Sequence, residues 1–112
     1  MTVPVRSYIT IGSMLLPTND AFAGRNSIPL YQMVRDAVPL FAYDAGTEVN
    51  DEDCANIPGP LPCGGGSGYV AGGGEGIVYG HTGIHGEGQV LVSAYDWRGP
   101  VAIIRTKVIG FQ

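Results

Sequence analysis

Carboxylates are concentrated in one segment of a chain that is otherwise poor in charge. Six of its ten acidic residues lie within residues 36–53, most of them in the run PLFAYDAGTEVNDEDC. Because like charges repel, a folded chain tolerates such a cluster only where water or a cation relieves the repulsion. Within the run, DAGTE offers the carboxylates of Asp44 and Glu48, the hydroxyl of Thr47 and a glycine for a tight turn. Calcium binds hard oxygen ligands of this kind.

A second oxygen-rich turn, PTND, lies upstream and adds Asn19 and Asp20. If both turns lie at the same end of the fold, three carboxylates converge, and a divalent cation would offset their repulsion. The alternative is a solvated acidic loop in which Asp20 and Asp44 close Asx turns. The residues alone leave both interpretations open. For residues 51–53, a solvated surface is the preferred interpretation.

His81 and His85 have an H-x-x-x-H spacing, which on a helix would place both rings on one face for a transition metal. The neighbouring glycines of YGHTGIHGEG disfavour a helix, so turn histidines are the default interpretation and a second metal site is the alternative. Either imidazole could also act as a general base. The sequence shows no nucleophile with a partnered aspartate, and we do not predict an enzyme.

The glycine-rich run at residues 64–74 invites comparison with a phosphate-binding loop. That loop needs a Lys-Ser/Thr pair and a helix after its glycines, and neither follows here. We interpret the run as a flexible surface loop whose role the sequence does not reveal.

Two cysteines, Cys54 and Cys63, flank the proline-rich segment ANIPGPLP. Their spacing is not the C-x-x-C of metal and redox sites. A local disulfide is the preferred interpretation, and it predicts an oxidising compartment. Free thiols in a cytosolic loop are the alternative.

The elements that must position these residues are strands, because 18 glycines and 8 prolines in 112 residues favour turns over helices. The segment 29–38 is ambiguous between a helical turn and a strand, and 21–28 is a short strand or an irregular segment. Segments with a strand pattern are residues 3–16, 38–46, 76–88, 89–97 and 100–109, of which the last two are the clearest. Five or six strands predict a single all-β domain over residues 1–112, an antiparallel β-sandwich.

Charge and hydropathy argue against nucleic-acid binding and against a membrane-spanning segment. The net charge of −4 disfavours nucleic acid, whose phosphates need a basic surface. No apolar run approaches the roughly 18 residues of a transmembrane segment.

Two stretches together, SMLLPTNDAF (13–22) and YDAGTEVNDE (43–52), resemble the spondin N-terminal domain of F-spondin, mindin and many secreted bacterial proteins. The family pattern is a strand, a turn ending in Asp and an aromatic, and then an aromatic-Asp-Ala-Gly-Thr-acid run. GEGIVYGHTGIHG and YDWRGPVAIIRTKV are similar to the C-terminal end of bacterial members, so the resemblance covers residues 7–112. The family's N-terminal strands, which precede the region matching Val5, have no counterpart here, and the insertion at 64–74 is foreign to the pattern.

The resemblance implies a sandwich similar in architecture to membrane-binding C2 domains, an extracellular location and an adhesion or recognition role without catalysis. It also implies a calcium ion near the loops at one end, with Asp20, Asp44, Glu48, Thr47 and Asn19 as the expected ligands. Expected partners are extracellular matrix, a cell-surface or glycan ligand, or further copies of the chain. The alternative function is a self-assembling subunit of a fibre or oligomer, in which an uncovered sheet edge pairs with a neighbouring chain. A homo-oligomer is expected.

Overall fold

The computed structural model describes residues 6–59, 63, 73–107 and 109–110. These residues form one antiparallel five-stranded sheet with a single short α-helix, which confirms the predicted all-β class. They show one sheet, and the sandwich stays a prediction. The elements in chain order are β1 (Tyr8–Met14), β2 (Ala21–Pro29), α1 (Leu30–Arg35), β3 (Val38–Asp44), β4 (Tyr79–Gly80), a 3-10 turn (Val92–Ala94) and β5 (Ala102–Ile104).

The strands β2 and β3 form the centre of the sheet. β1 pairs with one side of β2, and β3 pairs with the other. The outer side of β3 is shared, because its last residues pair with β4 and residues 38–40 pair with β5. No described strand pairs with the outer side of β1. Side chains on β3 alternate with the period of a strand, so Val38, Leu40 and Ala42 are buried while Phe41 is exposed.

Two apolar clusters hold the fold together. The first consists of Ile28, Met33 and Val38, and it packs between the sheet and α1. The second lies beneath the loops and consists of Ile57, Ile84 and Val90, with the Cys54–Cys63 pair and Tyr95 packed against it. The loops thus have a core of their own, separate from that of the strands.

The prediction of a strand at residues 89–97 is wrong. This segment contains the 3-10 turn, and its Asp96 forms only an isolated bridge with Gly83. Val90 enters the second cluster while Leu91 and Val92 remain exposed, so packing against the loops overrides the β-propensity of the segment. The predicted strand at 100–109 is shortened to the three residues of β5. The ambiguous segment 29–38 contains α1, which begins directly after Pro29.

The predicted disulfide between Cys54 and Cys63 is present, with a Cα–Cα distance of 4.6 Å. No described cysteine is free. Among the described residues, no helix is long and apolar enough to cross a membrane.

Removing the disulfide should lower the free energy of unfolding by about 2–3 kcal/mol, because a crosslink over a short loop restricts the unfolded chain. The comparison is urea unfolding of the native protein, with and without reductant, and of the double variant Cys54→Ser/Cys63→Ser. Reductant should not affect the double variant, which is the control. Two alkylated thiols in the intact mass of the unreduced, denatured protein would contradict the pairing.

Candidate functional site

The pairing of β2 with β3 brings the two oxygen-rich turns together. Ala21 lies opposite Asp44, so the turn before β2 and the turn after β3 are neighbours. The Asp20 carbonyl accepts the amide hydrogen of Ala45 at 3.3 Å. We call this end of the sheet, formed by residues 15–20, 44–53 and 79–89, the acidic end. The residues predicted as ligands therefore do lie at one end of the fold.

Asp20 closes the turn that follows β3. Its Oδ2 accepts the amide hydrogens of Thr47 and Glu48 at 2.7 and 3.0 Å, and the Thr47 hydroxyl at 2.8 Å. Its Oδ1 is buried and accepts no hydrogen bond among the described residues. Asp20 thus uses one oxygen to hold the turn, while the second lacks a donor.

Asp44 is fully buried and stabilises its own turn. Its Oδ1 accepts the amide hydrogen of Gly46 at 2.7 Å, and its Oδ2 accepts the side-chain amide of Asn50. Gly46 has a φ of +69°, and a Cβ there would lie 2.2 Å from the Ile77 carbonyl oxygen, so only glycine fits. The Asx-turn interpretation therefore describes Asp44, whose two oxygens are both occupied.

Asp44 also lines a small cavity of about 50 Å³, the His81 pocket, together with Asn50, Tyr79, His81 and His85. Asn50 donates to the Tyr79 hydroxyl at 3.2 Å as well as to Asp44. Burial and the neighbouring Asp44 raise the pKa of Tyr79 to about 12. The cavity has room for a few water-sized groups but not for an organic ligand.

His81 is held in one tautomer. Its Nδ1 accepts the amide hydrogen of Gly83 at 3.0 Å, so the neutral ring carries its hydrogen on Nε2, which lies 3.9 Å from Asp44 Oδ2. The ring rests against Trp97, with centroids 5.4 Å apart. Burial lowers the pKa of His81 below its ordinary 6.5, although Asp44 opposes this. The side chain is therefore uncharged at neutral pH and offers no ring lone pair to a metal.

The two histidines have different partners, since His85 Nε2 bonds the Thr82 hydroxyl at 2.6 Å. Within residues 6–59, 63, 73–107 and 109–110, no three His, Cys, Asp or Glu side chains form a group that could hold a metal ion. Both histidines bond groups of their own turn, as expected of turn histidines.

Glu52 is the central residue of the loops, and the prediction that residues 51–53 form a solvated surface is wrong for it. Its side chain is 3% exposed. Its Oε1 accepts the amide hydrogen of His85, and its Oε2 accepts those of Gly86 and Glu87, both at 2.7 Å. Successive amide hydrogens of a glycine-containing turn form such an anion-binding concavity. The HGEG sequence at 85–88 is the one signal that could have indicated it.

The charged form of Glu52 is stabilised by these donors. Burial alone would raise its pKa, but the amide hydrogens of His85, Glu87 and Gly86 lower the pKa of Glu52 below its ordinary 4.5. The backbones also approach closely, because a Cβ at Gly88 would lie 2.0 Å from the Glu52 carbonyl oxygen. This carboxylate joins two loops that are more than thirty residues apart in the sequence.

Asn19 ties the turn before β2 to the same loop. Its Oδ1 accepts the amide hydrogen of Glu52 at 3.3 Å, and its Nδ2 donates to Asp51 at 2.9 Å. Burial would raise the pKa of Asp51, but the Asp53 amide and the side chains of Asn19 and Asn56 lower it. Asn19 therefore positions the loops through both atoms of its amide group.

The expected calcium ligands divide between two sides of the acidic end. Asp20, Glu48 and Asn19 line an open concavity, the Asp20 groove, which also includes Met14 and Phe22. Asp44 lines the His81 pocket instead. Asp20 and Glu48 both line this groove, and carboxylate oxygens are the hard ligands that calcium prefers. The oxygens of Asp44, Thr47 and Asn19 form hydrogen bonds within the turns.

Four carboxylates of the acidic end have no lysine or arginine partner among the described residues. None of Asp20, Asp44, Asp51 and Glu52 forms an ion pair with Lys or Arg; in the described part of the chain, the single such pair joins Arg98 to Asp96. Amide hydrogens and side-chain amides stabilise these carboxylates in place of basic side chains.

The chain matches no protein-family model, no curated protein and no solved structure.

Replacing Glu52 by glutamine should cost about 1–3 kcal/mol at neutral pH, because an amide group would face three backbone donors. The pKa of Glu52 is lower in the folded than in the unfolded state. Its contribution is therefore fully present above pH 4.5 and is lost as the pH falls through the folded pKa. Urea unfolding of both proteins as a function of pH measures the effect.

Glu87→Gln is the matched control, because Glu87 is exposed and contributes only its amide hydrogen to Glu52. It should leave neutral-pH stability nearly unchanged. Equal stabilities of the two variants would contradict the structural role of Glu52.

Proposed function

We propose that the protein is an extracellular recognition module of spondin type that binds its ligand at the acidic end with the help of calcium. The observation that carries the proposal is the Asp20 groove, which both Asp20 and Glu48 line. The Oδ1 of Asp20 is buried and accepts no hydrogen bond among the described residues. The disulfide supports an oxidising compartment. Loops fixed on a rigid sheet are the usual arrangement of binding sites.

Asp20 and Glu48 are the residues that would hold the ion. Calcium supplies positive charge and coordination positions that carbonyl oxygens, water or ligand oxygens complete. With only two carboxylates, we expect the weak affinity of extracellular modules, with a Kd of about 10⁻⁴–10⁻³ M. The remaining predicted ligands act differently, because Asp44, Thr47 and Asn19 position the turns that present the groove.

Binding is favoured over catalysis by the state of His81. The Nδ1 of His81 is occupied by Gly83, and its Nε2 hydrogen is directed toward Asp44. A general base needs an available lone pair near a substrate proton. A matrix, cell-surface or glycan ligand bound through calcium, or one that carries positive charge, would suit the uncompensated negative charge of this end.

Calcium should raise the melting temperature. At 10–100 times the Kd, binding to the folded state alone adds about 1.4–2.7 kcal/mol. The measurement compares thermal unfolding in about 10 mM calcium, which is 10–100 times the expected Kd, and in chelator. Asp20→Asn and Glu48→Gln should each remove most of the difference. Asp44→Asn should lower the melting temperature equally in both conditions, because Asp44 supports the turn.

Asp53→Asn is the control, because Asp53 belongs to the same loop but lines neither the groove nor the pocket. It should respond to calcium like the native protein. Identical melting temperatures of the native protein in calcium and chelator would remove the metal from this account.

A further inference from the structure

The outer side of β1 is a sheet edge that no described strand covers and that could pair with another strand. Its sequence, YITIGSM, contains no charged residue and no proline, which are two of the devices that protect sheet edges. A register irregularity lies between Ile9 and Ile11, which leaves residues 11–14 as a regular stretch. In the described part of the chain, β1 pairs only with β2. Its outward amide and carbonyl groups can therefore accept a further strand.

The first apolar cluster reaches this edge. Ile9 and Ile11 pack against Ile28, Met33 and Val38 but are only partly buried. The core thus ends at β1 without a covering element among the described residues. A strand added here would extend the cluster as well as the sheet.

β1 also runs between two ends of opposite charge. It finishes at the acidic end, where Met14 lines the Asp20 groove. It starts at the other end, where the Ser7 carbonyl accepts the amide hydrogen of Leu30 at the start of α1. We call this the basic end. Its charged residues are Arg6, Arg35, Arg105 and Lys107, with Asp36 as the one acidic residue.

The location of the basic residues follows from the sheet register. β5 leaves the sheet beyond Val38, and the Thr106 hydroxyl donates to the Met33 carbonyl of α1. Arg105 and Arg35 therefore line one concavity, far from the acidic turns along the strands.

We propose that two copies of the chain pair through β1, antiparallel and related by a two-fold axis. Antiparallel pairing places each acidic end beside the partner's basic end, whereas parallel pairing would place like charges together. A two-fold axis uses the same strand on both copies and closes the edge, so it gives a dimer and not a fibre. The interface uses main-chain groups of β1 and the side chain of neither Asp20 nor Glu48. Since Gly12, Ser13 and Met14 also line the Asp20 groove, the pairing is tested in chelator.

The test is sedimentation velocity at about 100 µM protein, a concentration at which a micromolar dimer is populated. The native protein should be a dimer at low salt, and its dissociation constant should rise as salt increases from about 0.02 to 0.5 M, because the complementary ends are screened. Gly12→Lys adds a charge near the centre of the edge. Gly12 is exposed and a Cβ there meets nothing within 4 Å, so the fold should tolerate it.

Gly12→Lys should weaken the dimer roughly tenfold or more, because the two new like charges lie near each other across the two-fold axis and must lose water. An unchanged far-ultraviolet circular dichroism spectrum confirms that the sheet persists. Leu91→Lys is the control, since Leu91 is 69% exposed and lies outside β1; it should dimerise like the native protein.

The proposal is overturned by a native protein that is monomeric at low salt, a Gly12→Lys variant that dimerises normally, a Leu91→Lys variant that is monomeric, or open-ended assembly. A dimer that salt strengthens would show that like ends are adjacent, and the antiparallel arrangement would be wrong. The sedimentation measurements are made in chelator, so their outcome does not depend on calcium binding, which the melting experiment tests separately on variants outside β1.

Discussion

A carboxylate that is buried without a basic partner must receive hydrogen bonds, because its desolvation would otherwise cost far more than a small domain can tolerate. Asp44 and Glu52 are 0% and 3% exposed, and no lysine or arginine pairs with either. Their donors are amide hydrogens of the chain itself. Satisfying these two groups therefore fixes the paths of the segments that follow β3 and β4.

The pairing of β2 with β3 positions the acidic residues for these contacts with the loops. Pairing of Ala21 with Asp44 sets the distance between the two turns. Asp20 and Asn19 then reach across to residues 47–48 and 51–52. Beneath them, the cluster around Ile57 and the disulfide supply the apolar burial that the loops would otherwise lack. Two small apolar cores, one under the strands and one under the loops, thus stabilise the fold in place of one larger core.

Much of the central architecture could be read from the sequence. β1 and β3 have strand patterns, the two turns are rich in oxygen ligands, and the short loop between Cys54 and Cys63 favoured a disulfide. These features depend on residues that are close in sequence or on the simple alternation of a strand. The ambiguous segment 29–38 needed the structure, because Pro29 is compatible with either element.

The rest depended on contacts between distant segments. Glu52 looks like a surface residue in DEDC, and only the amide hydrogens of residues 85–87 reveal its burial. The segment 89–97 has the composition of a strand, but Val90 packs into the second cluster and Leu91 is exposed. The division of the acidic residues is equally non-local: Asp20 lines the open groove, whereas Asp44 faces His81.

At the Glu52 contact, the main-chain amide hydrogens of the 85–87 turn hold the carboxylate, while the side chains of His85 and Glu87 form the surface. Since every amino acid except proline carries that hydrogen, mutation at these positions can alter the chemistry of the surface without removing the anchor. The loop therefore has the properties of a variable region. It suits diversification, whether by natural divergence or by randomised codons at 85 and 87 in a display library, with Glu52, Gly86 and Gly88 held constant.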